Sequence, residues 1–373
     1  MKGDINDTLL EEGDDAVRAR SDATCRYEPA SPSTREETFV LRKLDEVEPE
    51  GIQWIWDGYL ARGKVTLLCG DPGLGKSQLA LDLAARVTIG SHFPNGPRAP
   101  QSSVLLLTSE DGLADTVAPR LIAAGADLSR ISTLDHNAVG QDRFSLKVHL
   151  AELAQMIDQV GDVQLVVIDA LSSYLGDIDA NSQNDVRNVI DPLSQLAEDK
   201  GVAILGVCHP PKGKQINSVH SVSGSLSIAA AARAIFIVTK EPESDRRLLL
   251  CAKSNLAVMP SGRGFSVITE PLPGKAITAP RVLWDDAPVD LSADQALAAQ
   301  AETSRGGYAL QEAKTFLEDF LGNGPRFTIE VKEAAKDHLI AWRTVERAKT
   351  GLKIETKKDP GDLKGRWKWA LPS

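Results

Sequence analysis

The chain has few cysteines, no long apolar run and no excess of positive charge. Its four cysteines, Cys25, Cys69, Cys208 and Cys251, are far apart and show none of the close pairs of a zinc site. Three of them lie at or near the ends of apolar runs, as small buried thiols do. No apolar run approaches the roughly 20 residues that a membrane-spanning helix needs. Residues 1–20 are acidic and polar, unlike a secretion signal. We therefore expect no membrane partner and a cytoplasmic location.

The formal net charge of −10 argues against a generally adhesive polycation. It leaves room for a local nucleic-acid surface, because the distribution of charge matters more than its sum. A hydrophobic content of 42% is enough for a sizeable core. Residues 1–45 are rich in Asp, Glu, Ser and Thr without apolar periodicity, and are predicted to be an acidic, disordered tail.

The most informative stretch is Cys69–Ser77, which fits G-x-x-x-x-G-K-[ST]. An apolar run, Val65–Cys69, precedes it, and a helical pattern, Gln78–Val87, follows it. A phosphate loop needs this context, because a strand aims the loop and free N–H groups at the helix start bind the phosphates. The predicted nucleotide-binding residues are Gly70, Asp71, Pro72, Gly73, Leu74, Gly75, Lys76, Ser77 and Gln78.

Residues within the loop have separate predicted roles. Gly70, Gly73 and Gly75 allow backbone conformations and close approaches that a side chain would block. Lys76 is expected to reach the β- and γ-phosphates, and Ser77 to place its hydroxyl on Mg²⁺. The sequence therefore predicts ATP and Mg²⁺ as cofactors.

Apolar runs alternate with helical patterns along the next two hundred or so residues, which predicts an α/β fold with a mostly parallel sheet covered by helices on both faces. The predicted strands are Val65–Cys69, Ser103–Thr108, Ile131–Leu134, Gln164–Ile168, Val202–Cys208, Ala234–Thr239 and Leu248–Ala252, with weaker ones at Phe265–Thr269 and Val282–Trp284. The predicted helices are Thr116–Gly125, Leu150–Val160 and Asp185–Lys200. Ligands gather at the carboxyl ends of such strands.

Polar residues at strand ends supply the candidate catalytic groups. Asp169 closes an L-V-V-I-D run and is expected to hold Mg²⁺ together with Ser77. Glu110 is the candidate for orienting and partly deprotonating the attacking water. Asp111 is its rival, although a helix cap is the favoured interpretation of Asp111. His209 lies where a polar group could contact the γ-phosphate and report its loss.

Two further segments leave alternatives open. The segment Lys212–Ser227, rich in Gly and Ser, carries Lys212 and Lys214 and is either a DNA-contacting loop or a flexible connector. Three aromatic residues before the first core strand either cover the nucleotide base or pack an entry segment onto the sheet, and packing is favoured. These residues are Trp54, Trp56 and Tyr59.

The C-terminal part is basic, and its pattern is that of a winged helix-turn-helix. A partly helical linker, Pro288–Arg305, precedes three helical patterns and a hairpin pattern, which are Tyr308–Leu321, Ile329–His338, Ala341–Leu352, and Lys353–Thr356 with Arg366–Leu371. The predicted domains are residues 1–45, 46–287, 288–305 and 306–373. Candidate DNA contacts are Arg343, Arg347, Lys349, Lys357, Lys358 and Lys364. The alternative is a module for protein contacts or ring assembly.

Five motifs follow one another along the chain: G-D-P-G-L-G-K-S, L-L-L-T-S-E-D, L-V-V-I-D-A, V-C-H-P-P-K-G and A-A-R-A-I-F-I-V. In this order they resemble RecA-like ATPases of the plasmid RepA type, the hexameric replicative helicases. They are even more similar to ATPases of phages and integrated elements that join this core to a C-terminal helical domain. The resemblance covers about residues 47–288.

The resemblance implies a homo-hexameric ring in which each ATP lies between two subunits. It assigns phosphate and Mg²⁺ binding to Lys76 and Ser77, the catalytic carboxylate to Glu110, the Mg²⁺-linked acid to Asp169 and a sensor role to His209. It also implies a RecA-like fold and a DNA-associated motor. The alternatives are an ATP-dependent DNA-binding switch or helicase loader and, less favoured, a small-molecule kinase.

Three residues are implied to act between subunits. Arg233 falls where these helicases carry an arginine finger for the neighbouring site, and Lys253 and Asn255 occupy a second inter-subunit position. A cation from another chain would stabilise transition-state charge and connect hydrolysis to motion of the ring.

Overall fold

A computed structural model of the chain describes residues 41–372, except residues 95, 135–143, 179–181, 210–231, 242–243 and 359–365 and the side chains of residues 183 and 302–308. Contacts divide the chain into two compact units, Met1–Gly51 and Ile52–Ser373. The described part of the first unit contains a short 3-10 helix, Leu44–Glu46. No helix within the described ranges is long and apolar enough to cross a membrane.

The second unit contains strands and helices in alternation. The strands are β1 (Trp54–Trp56), β2 (Leu60–Ala61), β3 (Val65–Cys69), β4 (Ser103–Thr108), β5 (Ile131–Thr133), β6 (Val163–Asp169), β7 (Ala203–Cys208), β8 (Ala234–Lys240), β9 (Arg247–Ser254), β10 (Gly262–Pro271), β11 (Thr278–Val289), β12 (Arg326–Phe327), β13 (Glu355–Lys358) and β14 (Trp367–Ala370). The α-helices are α1 (Lys76–Ile89), α2 (Ala118–Ala123), α3 (Leu150–Val160), α4 (Gln183–Lys200), α5 (Ala293–Gly322), α6 (Thr328–Asp337) and α7 (Trp342–Gly351).

The central sheet has the strand order β11-β10-β9-β8-β3-β7-β6-β4-β5. The six strands from β8 to β5 pair in parallel, whereas β9, β10 and β11 add antiparallel pairs at the other edge. The predicted mostly parallel sheet is therefore confirmed.

Helices cover both faces of this sheet. Successive residues of β3 point to opposite faces, so Leu67 packs in a core with α3 and α4, and Leu68 packs in a second core with α1 and α2. Strands buried on both faces need apolar residues at nearly every position, which explains why they appear in the sequence as continuous apolar runs.

Aromatic residues of the entry segment lie in the core on the α1 side. The ring of Trp56 stacks on Tyr59 with centroids 3.9 Å apart and on Phe93 at 5.1 Å. Tyr59 in turn stacks on Phe236 of β8 at 5.2 Å. Trp56 and Tyr59 are 2% and 5% exposed, so the packing interpretation is confirmed for these two residues, while Trp54 is only partly buried.

Helix α5 corrects the prediction of a linker followed by a separate helix. One helix of 30 residues runs from Ala293 to Gly322, and Ser292 caps its start in a capping box with Gln295. The first turns of α5 pack in the core with α3 and α4 through Ala293 and Leu297. Burial at both ends stabilises a helix where the local sequence favours a break. The division of the chain into domains stays a prediction.

The end of α5 packs in a third core with α6, α7 and β14. Strand β14 lies between β12 and β13 in a three-stranded antiparallel sheet. The turn predicted between the last two strands lies outside the described residues.

Other differences concern the bounds of elements. The predicted helix Thr116–Gly125 begins as a π-helical turn, Leu113–Val117, before α2. The two weaker predicted strands are the long strands β10 and β11, of 10 and 12 residues. Their apolar runs are short because much of this hairpin is only partly buried, and cross-strand pairing extends it instead.

Candidate active site

The phosphate loop lies between β3 and α1, as its motif requires. Gly75 precedes α1 with a φ of 83°, a left-handed conformation that glycine adopts without strain. Gly70 has a φ of 155°, and a methyl group there would collide with the carbonyl oxygen of Val238 on β8. Glycine is therefore required at Gly70 for the close approach of loop and strand.

Lys76 is held inside the loop. Its side chain is only 2% exposed, and its Nζ donates a hydrogen bond of 2.9 Å to the carbonyl oxygen of Asp71. Burial lowers the pKa of Lys76, and the nearby Asp169 carboxylate acts in the opposite direction. The ammonium group thus lies where the loop would surround a phosphate.

Ser77 and Asp169 form the part of the site that could hold a metal ion. The Ser77 hydroxyl hydrogen-bonds to the Asp169 carboxyl, whose pKa is raised by burial and, more weakly, by Glu110 and Asp111. The Oδ1 atom of Asp169 is buried and has no hydrogen-bond partner among the described residues. A hydroxyl and a carboxylate suit Mg²⁺, which uses one or two protein oxygens together with phosphates. The described residues contain no cluster of three or more acidic, His or Cys side chains around a metal position.

Glu110 and His209 face each other at the same edge. Their closest atoms, Oε2 of Glu110 and Nε2 of His209, are 4.0 Å apart. Both ring nitrogens of His209 are buried without a hydrogen-bond partner in the described part of the chain. Burial and then Lys76 lower the pKa of His209, while Glu110 opposes them. The imidazole is therefore mainly neutral at pH 7, and one nitrogen is able to donate while the other accepts.

Asp111 has a different role from the helix cap that was favoured for it. Its Oδ2 accepts a hydrogen bond from Nη1 of Arg120 at 2.6 Å. The following helical turn is capped by the backbone of Gly112 without a side-chain hydrogen bond. Asp111 is thus paired with Arg120, whereas Glu110 lies 4.0 Å from His209. Both carboxylates are close enough to raise the pKa of Asp169.

The order of the strands brings the predicted catalytic side chains to one edge. Strands β3, β7, β6 and β4 are successive neighbours, and their carboxyl ends lead to Lys76, His209, Asp169 and Glu110. The structure thus gathers these four residues, although their catalytic roles stay predictions.

Arg233, Lys253 and Asn255 lie at the opposite edge of the sheet. The backbone N–H of Arg233 donates to the carbonyl oxygen of Val65, the first residue of β3, and that of Asn255 donates to Arg233. Nζ of Lys253 donates to the carbonyl oxygen of Ala232 at 2.9 Å. A five-residue strand is about 15 Å long, so the exposed Arg233 lies far from the phosphate loop of its own chain.

The candidate DNA contacts of the C-terminal part have mixed surroundings. Arg343 and Arg347 are exposed on α7, whereas Lys349 lies over the ring of the buried Trp369 at 4.3 Å. Lys357 pairs with Glu355 at 2.5 Å. Lys212, Lys214 and Lys364 lie outside the described residues.

Two residues beside the loop were missed by sequence reasoning. Arg247 on β9 and Val267 on β10 lie against Gly75. Neither belongs to a motif, and their position depends on antiparallel pairing between strands distant from the loop in sequence. No local signal marks them.

Comparison with known families agrees with this geometry. The AAA domain family AAA_25 matches residues 29–215, which is half of the chain. The chain belongs to this family. Membership of the AAA domain family supports a RecA-like P-loop ATPase, as the motifs predicted, and an ATP-hydrolysing enzyme.

Curated relatives of this AAA domain protein include DNA repair proteins. DNA repair protein RadA of Listeria monocytogenes is 26% identical over 211 residues, which are 55% of this chain and 40% of RadA. DNA repair protein RAD51 homolog 4 of Bos taurus is 28% identical over 179 residues, 48% of each chain. The chain thus spans about half or less of the length of these relatives. A solved KaiC-like protein of Pyrococcus horikoshii shows a distant likeness, with 17% identity and a TM-score of 0.42 over 62% of this chain and 99% of its own.

Proposed function

We propose that this AAA domain protein hydrolyses ATP at a site shared between subunits and uses the energy to act on DNA, as a ring-forming replicative helicase of a mobile element. The observation that carries the proposal is the convergence of Lys76, Asp169, Glu110 and His209 at the carboxyl edge of four neighbouring strands. Phosphoryl transfer to water needs a cation on the phosphates and a carboxylate near the water, and this edge offers both.

Each residue has a step in hydrolysis. Backbone N–H groups of the loop and Lys76 bind the phosphates, and Glu110 orients a water molecule and accepts its proton as the water oxygen attacks the γ-phosphorus. The bond from the γ-phosphorus to the bridging oxygen breaks, and the electron pair leaves with ADP. Mg²⁺ bound at Ser77 and Asp169 would neutralise charge on the phosphate oxygens. His209, neutral and close to Glu110, is the group that responds when the γ-phosphate leaves.

The position of Arg233 supports a site shared by two subunits. Its side chain is exposed at the edge opposite its own phosphate loop, which supports a role away from its own site, at the loop of a neighbour in a head-to-tail ring. Lys253 and Asn255 lie beside it. Val258 and Met259 in the next loop are 92% and 55% exposed, and apolar side chains beside a cation suit a protein interface.

Basic and aromatic residues of the C-terminal part support DNA binding. Trp367 is 50% exposed, and Nζ of Lys358 lies 5.6 Å from its ring centre. Arg366 and Lys368 flank the ring of Phe327 at 4.4 and 4.5 Å. Cations that lie on aromatic rings keep their charge available to phosphates, and exposed rings stack on bases.

The helices and hairpin of this part are ordered as a winged helix-turn-helix would be, which makes α7 the proposed recognition helix. Arg343 and Arg347 are its exposed cations. Lys212 and Lys214 are proposed as a further DNA contact in the ring.

One observation favours a second candidate, an ATP-dependent switch or helicase loader that does not unwind DNA. Helix α5 packs in the core beside α3 and α4 at its start and in the C-terminal core at its end. A single helix that joins both cores would transmit the nucleotide state without processive movement.

Two assays test the proposal. ATP hydrolysis is measured with and without single-stranded DNA, and unwinding is measured by strand displacement. We expect DNA to stimulate hydrolysis and the wild type to displace a strand, while Lys76→Ala does neither. Stimulated hydrolysis without displacement would favour the switch, and no hydrolysis by the wild type would refute both.

A further inference from the structure

Two side chains that have no part in the proposed hydrolysis lie against the phosphate loop. A methyl group on Gly75 would lie 3.5 Å from Cγ2 of Val267 and 3.9 Å from Nε of Arg247. Gly75 immediately precedes α1, so its N–H is one of the free donors that receive phosphates. Arg247 and Val267 are thus at the edge of the nucleotide site.

Arg247 forms no salt bridge with a described residue, although the charge of Asp245 is close enough to interact with it. Two cations beside Arg247 are paired with carboxylates. Lys240, opposite Arg247 on β8, has its Nζ 2.9 Å from Oδ1 of Asp245, and the preceding Arg246 has its Nη1 3.0 Å from Oε1 of Glu241. Arg247 has no carboxylate within 4.0 Å of its guanidinium in the part of the chain that the structure describes. A half-buried cation without such a partner is favourable if a ligand completes its contacts.

Both side chains lie on the α1 face of the sheet. Arg247 is opposite Phe265 in the pairing of β9 with β10, and side chains that are opposite each other share a face. Phe265 is buried in the core on the α1 side, and Val267 packs against the same core. The guanidinium and the valine therefore form one continuous surface beside the loop.

Strand order decides which part of a nucleotide meets this surface. His209, Asp169 and Glu110 follow β7, β6 and β4, which lie on one side of β3. Strands β8, β9 and β10 lie on its other side. Because the nucleoside is at the opposite end of the triphosphate from the γ-phosphate, it extends toward β9 and β10.

We propose that Arg247 and Val267 form the nucleoside-binding wall of the ATP site, with the guanidinium stacked on the base. This inference rests on the proposed function, since it assumes that ATP binds the loop. A guanidinium is planar and weakly hydrated, and therefore stacks on aromatic rings. Val267 supplies apolar contact beside it.

The test compares two ligands that differ in the nucleoside. Binding of ATP and of inorganic tripolyphosphate, each with Mg²⁺, is measured by titration calorimetry on the full chain. We expect Arg247→Met to weaken ATP binding at least about tenfold, the loss of one stacking contact. Tripolyphosphate affinity should change less than about twofold, because it lacks the stacked ring. Val267→Ala should weaken ATP binding about threefold, as expected for lost apolar area.

A matched control and a second variant make the result specific. Arg281 on β11 is also half-buried, but pairs with Glu270 at 2.6 Å, and Arg281→Met should leave both affinities unchanged. Arg247→Lys keeps the positive charge but removes the planar guanidinium group. This variant should bind ATP more weakly, with an unchanged melting temperature.

Three outcomes would overturn the inference. Equal losses of affinity for ATP and for tripolyphosphate in Arg247→Met would mean that Arg247 binds phosphate and not the base. Unchanged ATP affinity in both folded Arg247 variants would mean that Arg247 does not contact the nucleotide. Failure of the wild type to bind ATP would overturn the proposed function as well. The wild-type titration therefore separates the two failures.

Discussion

Nε2 of His209 and Oε2 of Glu110 are 4.0 Å apart at the ends of two strands that are separated by β6. This distance is too long for a hydrogen bond and short enough for one water molecule to contact both side chains. The pair therefore connects the carboxylate that would accept a proton with a neutral imidazole that would detect the γ-phosphate.

Glu110→Gln should separate binding from hydrolysis. The amide keeps the size of the side chain but cannot accept a proton, so ATP hydrolysis should fall about 10²- to 10⁴-fold. ATP affinity should change little, because Lys76 and the loop bind the phosphates. Single-turnover hydrolysis and equilibrium binding of labelled ATP measure the two effects. Asp111→Asn is the matched control, and an equally large loss there would move the catalytic role to Asp111.

His209 should make hydrolysis sensitive to acid. Its pKa is lowered from the usual 6.5, so the ring is neutral at pH 7 and gains a proton only below its ordinary range. The protonated ring would repel Lys76 and pair with Glu110, and the hydrolysis rate should therefore fall below pH 6.5. The profile of rate against pH measures this step. His209→Asn should lose the step, and an identical profile in that variant would assign it to another group.

Gly70→Ala should damage both the loop and the fold. The new methyl group would meet the carbonyl oxygen of Val238, and the positive φ adds strain of about 1–3 kcal/mol to the folded state. We expect a lower free energy of unfolding and a loss of ATP binding, measured by denaturant titration and calorimetry. Gly51→Ala is the control, because a Cβ there has no neighbour within 4 Å. Equal stability of the two variants would contradict this account of Gly70.

The phosphate loop and the residues at strand ends were predictable because their signals are local. The G-x-x-x-x-G-K-[ST] pattern identifies Lys76 and Ser77 as phosphate-loop residues. Apolar runs that end in Asp169 or His209 indicate the edge of the sheet at which the parallel strands end. The order of these strands along the sequence does not determine their order in the sheet. The placement of His209 beside Glu110 therefore required the structure.

Long-range packing accounts for what the sequence did not show. Helix α5 continues through a segment containing adjacent glycines at 306 and 307, because its two ends are buried in different cores. Arg247 reaches Gly75 only because β9 pairs with β8, which lies beside β3. The ion pair of Asp111 with Arg120 spans nine residues, whereas the local sequence pattern at Asp111 predicts a helix cap. Patterns among residues that are neighbours in the sequence do not predict such long-range contacts.

The most direct test of a shared site is ATP hydrolysis by mixed subunits. Lys76→Ala removes the phosphate-binding cation and Arg233→Ala removes the proposed finger, so each variant alone should be inactive. In a co-assembled mixture, an intact loop from one chain can meet an intact Arg233 from another, and hydrolysis should return to about a quarter of the wild-type rate if mixing is random. A mixture that stays inactive, although mass measurement with ATP and Mg²⁺ shows mixed oligomers, would contradict the shared site.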